Sequence, residues 1–121
     1  MSTTVMVVDD SQWMRHQVCR ALVDAGYAVV EASDGQEALD KLAEHPSVAL
    51  VVCDVNMPRM NGLDFLERTR GPAAVPVLML TTEGQAQLVQ RAKALGAKGW
   101  ITKPFKPELL IATAKRLAPQ E

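Results

Sequence analysis

Two unbroken apolar runs, "VALVVC" (Val48–Cys53) and "VPVLML" (Val75–Leu80), constrain this chain more than any other feature. A strand with one face in water alternates apolar and polar residues, whereas a run that is apolar in both registers must be covered on both sides. These runs are short, rich in β-branched residues and followed by helical patterns, so the chain reads as repeated βα units with a parallel sheet between helical layers. The strands read are Val5–Val8, Ala28–Glu31, Val48–Cys53, Val75–Leu80 and Gly99–Thr102. The helices read are Gln12–Ala25, Gly35–Glu44, Gly62–Thr69, Gln85–Leu95 and Pro107–Leu117. Right-handed crossovers then give an α/β, doubly wound (βα)5 fold with a five-stranded parallel sheet in the order 2-1-3-4-5.

The helix assignments have local reasons. In "SQWMRHQVCRALVDAG", Met14, Val18, Cys19, Leu22 and Val23 trace an apolar stripe, Ser11 is a cap and Gly26 ends the helix. In "SDGQEALDKLAEHP", Ser33 or Asp34 opens the helix, Ala38, Leu39 and Leu42 face inward, and Pro46 forbids continuation.

A chain of 121 residues with 48% hydrophobic content supports one domain, residues 1–121, around one core covered on two sides. Net charge is −1 and aromatics make up 4%, which leaves neither a basic footprint nor a base-stacking surface for nucleic acid. The opening "MSTTVMVVDD" lacks the cationic-then-apolar order of a signal peptide, and no apolar run approaches the ~18 residues of a membrane span. A soluble, cytoplasmic protein is expected, with no membrane partner. Cys19 and Cys53 have no metal-like spacing and are expected to be ordinary buried thiols.

Ligands of such sheets bind at the carboxyl ends of the strands. There the sequence delivers Asp9 and Asp10 after strand 1, Asp54 after strand 3, Thr81 and Thr82 after strand 4, and Lys103 after strand 5. Like charges in one crevice repel by on the order of 4 kcal/mol per pair at about 4 Å and an effective dielectric near 20. Three carboxylates therefore require a cation, and a hard divalent ion such as Mg²⁺ takes oxygen ligands and shares phosphate oxygens. One Mg²⁺ and the Lys103 ammonium together balance the three negative charges. Neither cysteine nor histidine joins this edge, and no GxxxxGK[ST] or GxGxxG is present, so zinc, thiolate chemistry and a bound nucleotide are disfavoured. A carboxylate can itself attack phosphorus and form an aspartyl phosphate.

"VVDDS", "DVNMPRMNG", "LTT" and "KGWITKPF", in this order and across nearly the whole chain, resemble the receiver domain of two-component response regulators. The D-x-x-M-P-x-x-x-G pattern falls on Asp54, Met57, Pro58 and Gly62. The resemblance implies the flavodoxin-like, CheY-like form of the fold, with Asp54 phosphorylated from the phosphohistidine of a histidine kinase or phosphotransfer protein. It implies Mg²⁺ ligation by Asp10, Asp54 and the backbone carbonyl of Asn56, with Asp9 helping through water. Thr81 would bond a phosphoryl oxygen, Lys103 would pair with another, and the Lys103–Pro104 peptide would be cis. Two positions depart from the family pattern: Thr82 stands where alanine or glycine is usual, and Trp100 where tyrosine or phenylalanine is usual. Asn56, Thr82 and Glu83 would modulate access to the acceptor, and Asn56 and Glu83 resemble those of CheY-type chemotaxis regulators.

The function expected is that of a phosphoacceptor, not a turnover enzyme, which catalyses its own phosphorylation and dephosphorylation. With no output segment after Glu121, it would signal to a downstream protein target through helix 4, strand 5 and helix 5, as a monomer or an activation-dependent dimer. Thr81 and Trp100 would form the switch, with static packing the alternative for Trp100. Trp13 is expected to be half-buried at the rim of the site, His16 and His45 lie away from it, and Arg91, Lys93, Lys98, Lys106, Lys115 and Arg116 are expected on a solvated face. The rival readings are a Mg²⁺-dependent phosphohydrolase with an aspartyl-phosphate intermediate and a binding-only pseudo-receiver.

Overall fold

The computed structural model describes residues 2–55, 60–69, 75–82 and 86–120. The order of elements is β1 (Thr4–Val8), α1 (Gln12–Asp24), β2 (Ala28–Ala32), α2 (Gly35–Glu44), β3 (Val48–Asp54), α3 (Gly62–Thr69), β4 (Val77–Thr82), α4 (Ala86–Ala94), β5 (Gly99–Lys103) and α5 (Pro107–Leu117). The strands form one sheet in the order β2-β1-β3-β4-β5, each neighbouring pair parallel, as the apolar runs and crossover handedness imply.

Alternate residues of the central strands explain why those runs never turn polar. Val5, Val7, Leu50, Val52, Leu78, Leu80 and Ile101 face α1 and α5, where Val18, Leu22, Leu110 and Ala114 cover them. Met6, Val8, Val51, Cys53, Val77 and Met79 face the opposite layer, under Ala38 of α2, Phe65 and Leu66 of α3 and Ala92 of α4. Each large aliphatic side chain buried this way contributes about 1.5–3 kcal/mol, and the sum holds the sheet against its conformational entropy.

The helix ends follow from their caps. The Met14 N–H donates to Ser11 Oγ at 3.2 Å, and beyond α1 Gly26 takes φ 102°, a left-handed conformation that favours glycine. Asp34 is the cap of α2: its Oδ1 accepts the Glu37 N–H at 2.9 Å, while Glu37 Oε1 accepts the Ser33 N–H at 3.1 Å. Ser33 therefore supports the cap from outside the helix.

Three expectations need correction. Strand β4 runs from Val77 to Thr82, not from Val75 to Leu80. Pro76 has no N–H to give the ladder, although its carbonyl accepts Val51 N–H at 2.9 Å, and at the other end Thr81 and Thr82 pair with Thr102 and Lys103. Polar side chains did not stop a ladder made by the backbone. Val23 is 55% exposed, because Val18 and Leu22 already occupy the inward face of α1. Trp13 is 68% exposed instead of half-buried, standing out from the first turn of α1.

Candidate functional site

The carboxyl edge is shaped by register. Val8 lies opposite Cys53, Asp54 opposite Leu80, and Thr82 opposite Lys103, so the strands end at nearly one level. Asp9, just past β1, donates its N–H to the Ala32 carbonyl at 3.1 Å, which carries the pairing with β2 one step beyond the strand. Its side chain is 1% exposed; Oδ1 accepts the Ser11 N–H at 2.9 Å and Oδ2 lies 3.4 Å from Lys103 Nζ. Asp54, the last residue of β3, is also buried, and its Oδ2 lies 3.1 Å from the same ammonium. One lysine thus bridges two buried carboxylates from different strands.

Asp10 is exposed and completes the group: Asp9, Asp10 and Asp54 each offer an oxygen, all within 4.8 Å of one another. Oxygens bound to one octahedral ion at ~2.1 Å are at most ~4.2 Å apart, so the cluster has the scale of a single small ion and needs only a sub-ångström contraction. The donors are all hard oxygens, and with Lys103 counted the cluster keeps an excess of two negative charges. That is the charge of a divalent cation of the Mg²⁺ class. His16 on α1 and His45 just past α2 are both exposed, and neither is part of the acidic group.

The end of β3 is clamped by backbone contacts. Val55 donates its N–H to the Leu80 carbonyl at 3.1 Å, and Gly62 donates to the Val55 carbonyl at 2.9 Å. A Cβ on Gly62 would overlap the Asp54 carbonyl and stand 2.9 Å from Val55 Cα and 2.8 Å from Met79 Cε. Glycine is required here because the start of α3 presses directly on the main chain of Asp54 and Val55.

Thr81 is 1% exposed at the end of β4, one residue past the register partner of Asp54. The Lys103–Pro104 peptide is cis. Trp100 does not join the carboxylates. It pairs in register with Met79, two positions before Thr81, is 37% exposed, and carries Lys93 Nζ 4.5 Å above its ring centroid. Asn56 and Glu83 lie outside the described residues, as do Met57 and Pro58, and Thr82 is described in its backbone alone. The cations Arg91, Lys93, Lys98, Lys106, Lys115 and Arg116 are all exposed.

The thiols are chemically quiet. Cys53 precedes Asp54 on β3, its Sγ donating to the Asp54 carbonyl at 3.4 Å; burial above all, then the charges of Asp54 and Asp9, push its pKa up. Cys19 is pushed from its ordinary value near 9 up to about 12, by burial first and then by the neighbouring Glu31. Neither supplies a thiolate near neutral pH.

Sequence reasoning missed Arg15. Its Nη1 donates to the Asp9 carbonyl at 2.8 Å and its Nε pairs with Glu31 Oε1 at 2.9 Å. A signal was present: a cation in the first turn of a helix opposes the helix dipole and needs a partner elsewhere.

Comparison with known proteins agrees with this fold. The response regulator receiver domain model matches residues 5–115. The chain is 40% identical over 111 residues to the chemotaxis protein CheY1 of Helicobacter pylori, covering 88% of this chain and 89% of that one. It is 38% identical over 108 residues to the transcriptional regulatory protein PdtaR of Mycobacterium tuberculosis, covering 88% of this chain and 52% of that protein. Among solved structures, the chemotaxis protein CheY4 of Vibrio cholerae superposes with a TM-score of 0.88 at 42% identity, over 97% of this chain and 99% of that one. Neither the phosphohydrolase nor the pseudo-receiver reading is favoured by these likenesses.

Proposed function

The chain belongs to the response regulator receiver domain family of two-component signalling, and on that premise we propose that Asp54 is its phosphoacceptor. The observation that carries the reading is the 3.1 Å pairing of buried Asp54 with Lys103 inside a group of three carboxylates at one sheet edge. An Asp54 oxygen attacks the phosphorus of a phosphohistidine on a histidine kinase or phosphotransfer protein. The new O–P bond makes an aspartyl phosphate as the P–N bond breaks, and the imidazole keeps that electron pair and takes a proton from solvent.

The protein's own groups position and neutralise, which is most of what phosphoryl transfer needs. Lys103 balances the charge arriving on the phosphoryl oxygens, and Thr81 bonds one of them. Asp10 and Asp54, with the Asn56 carbonyl, would hold Mg²⁺, and Asp9 would help through water. When bound, Mg²⁺ supplies charge neutralisation at the oxygens of the transferred group. Asn56, Thr82 and Glu83 are the residues assigned, on the family resemblance, to modulate access to the acceptor and so the lifetime of the phosphoryl group. Its hydrolysis returns the domain to the start, a self-limited cycle and not turnover of an outside substrate.

Phosphorylation biases Thr81, Trp100 and the surface of α4, β5 and α5 between two states, and a downstream protein reads the result. The likeness to chemotaxis proteins supports a chemotaxis-type target. The reading treats residues 1–121 as one receiver unit acting in the cytoplasm, as a monomer or as a dimer formed on activation.

Intact-mass measurement with Mg²⁺ and acetyl phosphate tests this. The wild type is expected to gain one phosphoryl group and Asp54→Asn none; an unchanged wild-type mass, or an equal gain in the variant, overturns the assignment.

A further inference from the structure

Asp9 and Asp10 are neighbours in sequence, and their carboxylates must share one small site although one is buried and the other exposed. What sets their relative direction is the peptide unit between them, whose oxygen is the Asp9 carbonyl and whose nitrogen belongs to Asp10. That carbonyl lies past the end of β1, and among the described residues no backbone N–H bonds it. Arg15 supplies the bond instead, from Nη1 at 2.8 Å. Its Nε is pinned at 2.9 Å by Glu31 at the end of β2, and its side chain is only 16% exposed. The guanidinium fork therefore ties the Asp9–Asp10 peptide to the neighbouring strand. Asp9 is fixed from the other side by the Ser11 N–H and Lys103.

We infer that Arg15 is a positioning residue for the Asp9–Asp10 pair, holding the peptide plane between them so that both carboxylates face one cation. This rests on the reading that the acidic cluster binds Mg²⁺. Partners that orient metal ligands from outside the first ring of contacts commonly change affinity by about 10–100-fold. Charge alone would act in the opposite sense, since deleting a cation near three carboxylates tightens the binding of another cation. Glu31 also masks that charge, so the orienting effect dominates. The sign of the change thus separates positioning from plain electrostatics.

The test is magnesium chloride titration followed by tryptophan fluorescence, with Trp13 in the first turn of α1 just past the acidic pair. Arg15→Ala is expected to weaken Mg²⁺ affinity on the order of tenfold. Arg15→Lys keeps the charge but cannot bond the carbonyl and Glu31 with one fork, and is expected to fall between the two. Lys41→Ala is the control for mere loosening of the same edge, because Lys41 Nζ donates to the Glu31 carbonyl and pairs with Glu37 at 3.5 Å without touching the acidic pair. It is expected to leave the affinity unchanged. An Arg15→Ala protein that binds Mg²⁺ as tightly as the wild type, or more tightly, overturns the inference, as does an equal loss in Lys41→Ala. Should Arg15→Ala fail to fold, Arg15→Lys and Glu31→Gln decide by the same reading: unchanged affinity in both overturns it. A wild type without a saturable Mg²⁺ response overturns the metal reading itself, an outcome distinct from the failure of Arg15.

Discussion

The middle of the sheet and its β5 edge carry different halves of the proposed function, and they are built differently. In β1 and β3 nearly every side chain is buried, on both faces, up to Asp54. In β5 the pattern alternates: Gly99 and Ile101 are buried while Trp100 and Thr102 are exposed. The middle is sandwiched by α1 and α5 on one side and by α2 and α3 on the other, whereas the outer face of β5 meets α4 at its margin, with Lys93 over Trp100. A nucleophile must keep its distance from a metal and a lysine to a fraction of an ångström, and close packing on two faces provides that. A surface that reports a chemical event must have two arrangements close in energy, and a half-exposed edge provides that. The difference places chemistry where packing is dense and readout where it is thin.

If that contrast is physical, truncation should cost unequally. Leu50→Ala removes a side chain with no exposure in the middle of the sheet and is expected to cost about 3 kcal/mol. Trp100→Ala removes a larger side chain at the edge, 37% exposed, and is expected to cost about 1 kcal/mol, near the centre of the distribution for single substitutions. Urea denaturation of both variants gives the comparison. Equal losses would mean that the edge is as tightly determined as the middle.

Gly62→Ala probes the join between packing and chemistry. The added methyl would press on the Asp54 carbonyl and on Val55 Cα, both main-chain atoms that cannot rotate away. Overpacking of this kind costs about 1–3 kcal/mol. Because the strain falls on the acceptor's own backbone, the rate of phosphorylation by acetyl phosphate should fall more than the stability loss alone explains. A variant that loses stability but is phosphorylated at the wild-type rate would show that the acceptor is insulated from α3, and would weaken the claim that dense packing positions it.

How much of this the sequence revealed follows the same division. The central strands were legible because burial on two faces leaves an unambiguous signature, and Asp9, Asp10, Asp54 and Lys103 were legible because topology places strand ends side by side. The cap at Ser11, and that of α2 as either Ser33 or Asp34, were readable for a local reason: a side chain bonds a backbone N–H three residues on, at α2 that of Asp34. The errors lie where outcomes depend on neighbours distant in sequence. Trp13 stands 68% exposed, with no element among the described residues covering the first turn of α1, and β4 outran its apolar run because β5 continued to pair with it. Arg15 and Lys93 found their roles through partners 16 and seven residues away, which no composition or periodicity encodes.

The smallest effect gives the sharpest view of the edge. Lys93→Ala removes a cation–π contact of about 0.5–1 kcal/mol at an exposed site. It also removes a favourable charge in the last turn of α4, about 0.3–1 kcal/mol, so a stability change alone does not identify the ring contact. Arg91 shares that last turn and is exposed, so Arg91→Ala removes the second term without the first. In a Trp13→Phe background, fluorescence then comes from Trp100 alone. Lys93→Ala should alter emission and acrylamide quenching of Trp100 while changing stability by about 1–2 kcal/mol, and Arg91→Ala should leave the emission as it was. A ring freed at so little cost fits the proposed role of Trp100 as a movable reporter of phosphorylation at Asp54. If Lys93→Ala instead costs as much as Leu50→Ala, Trp100 is structural, and the edge is no looser than the middle.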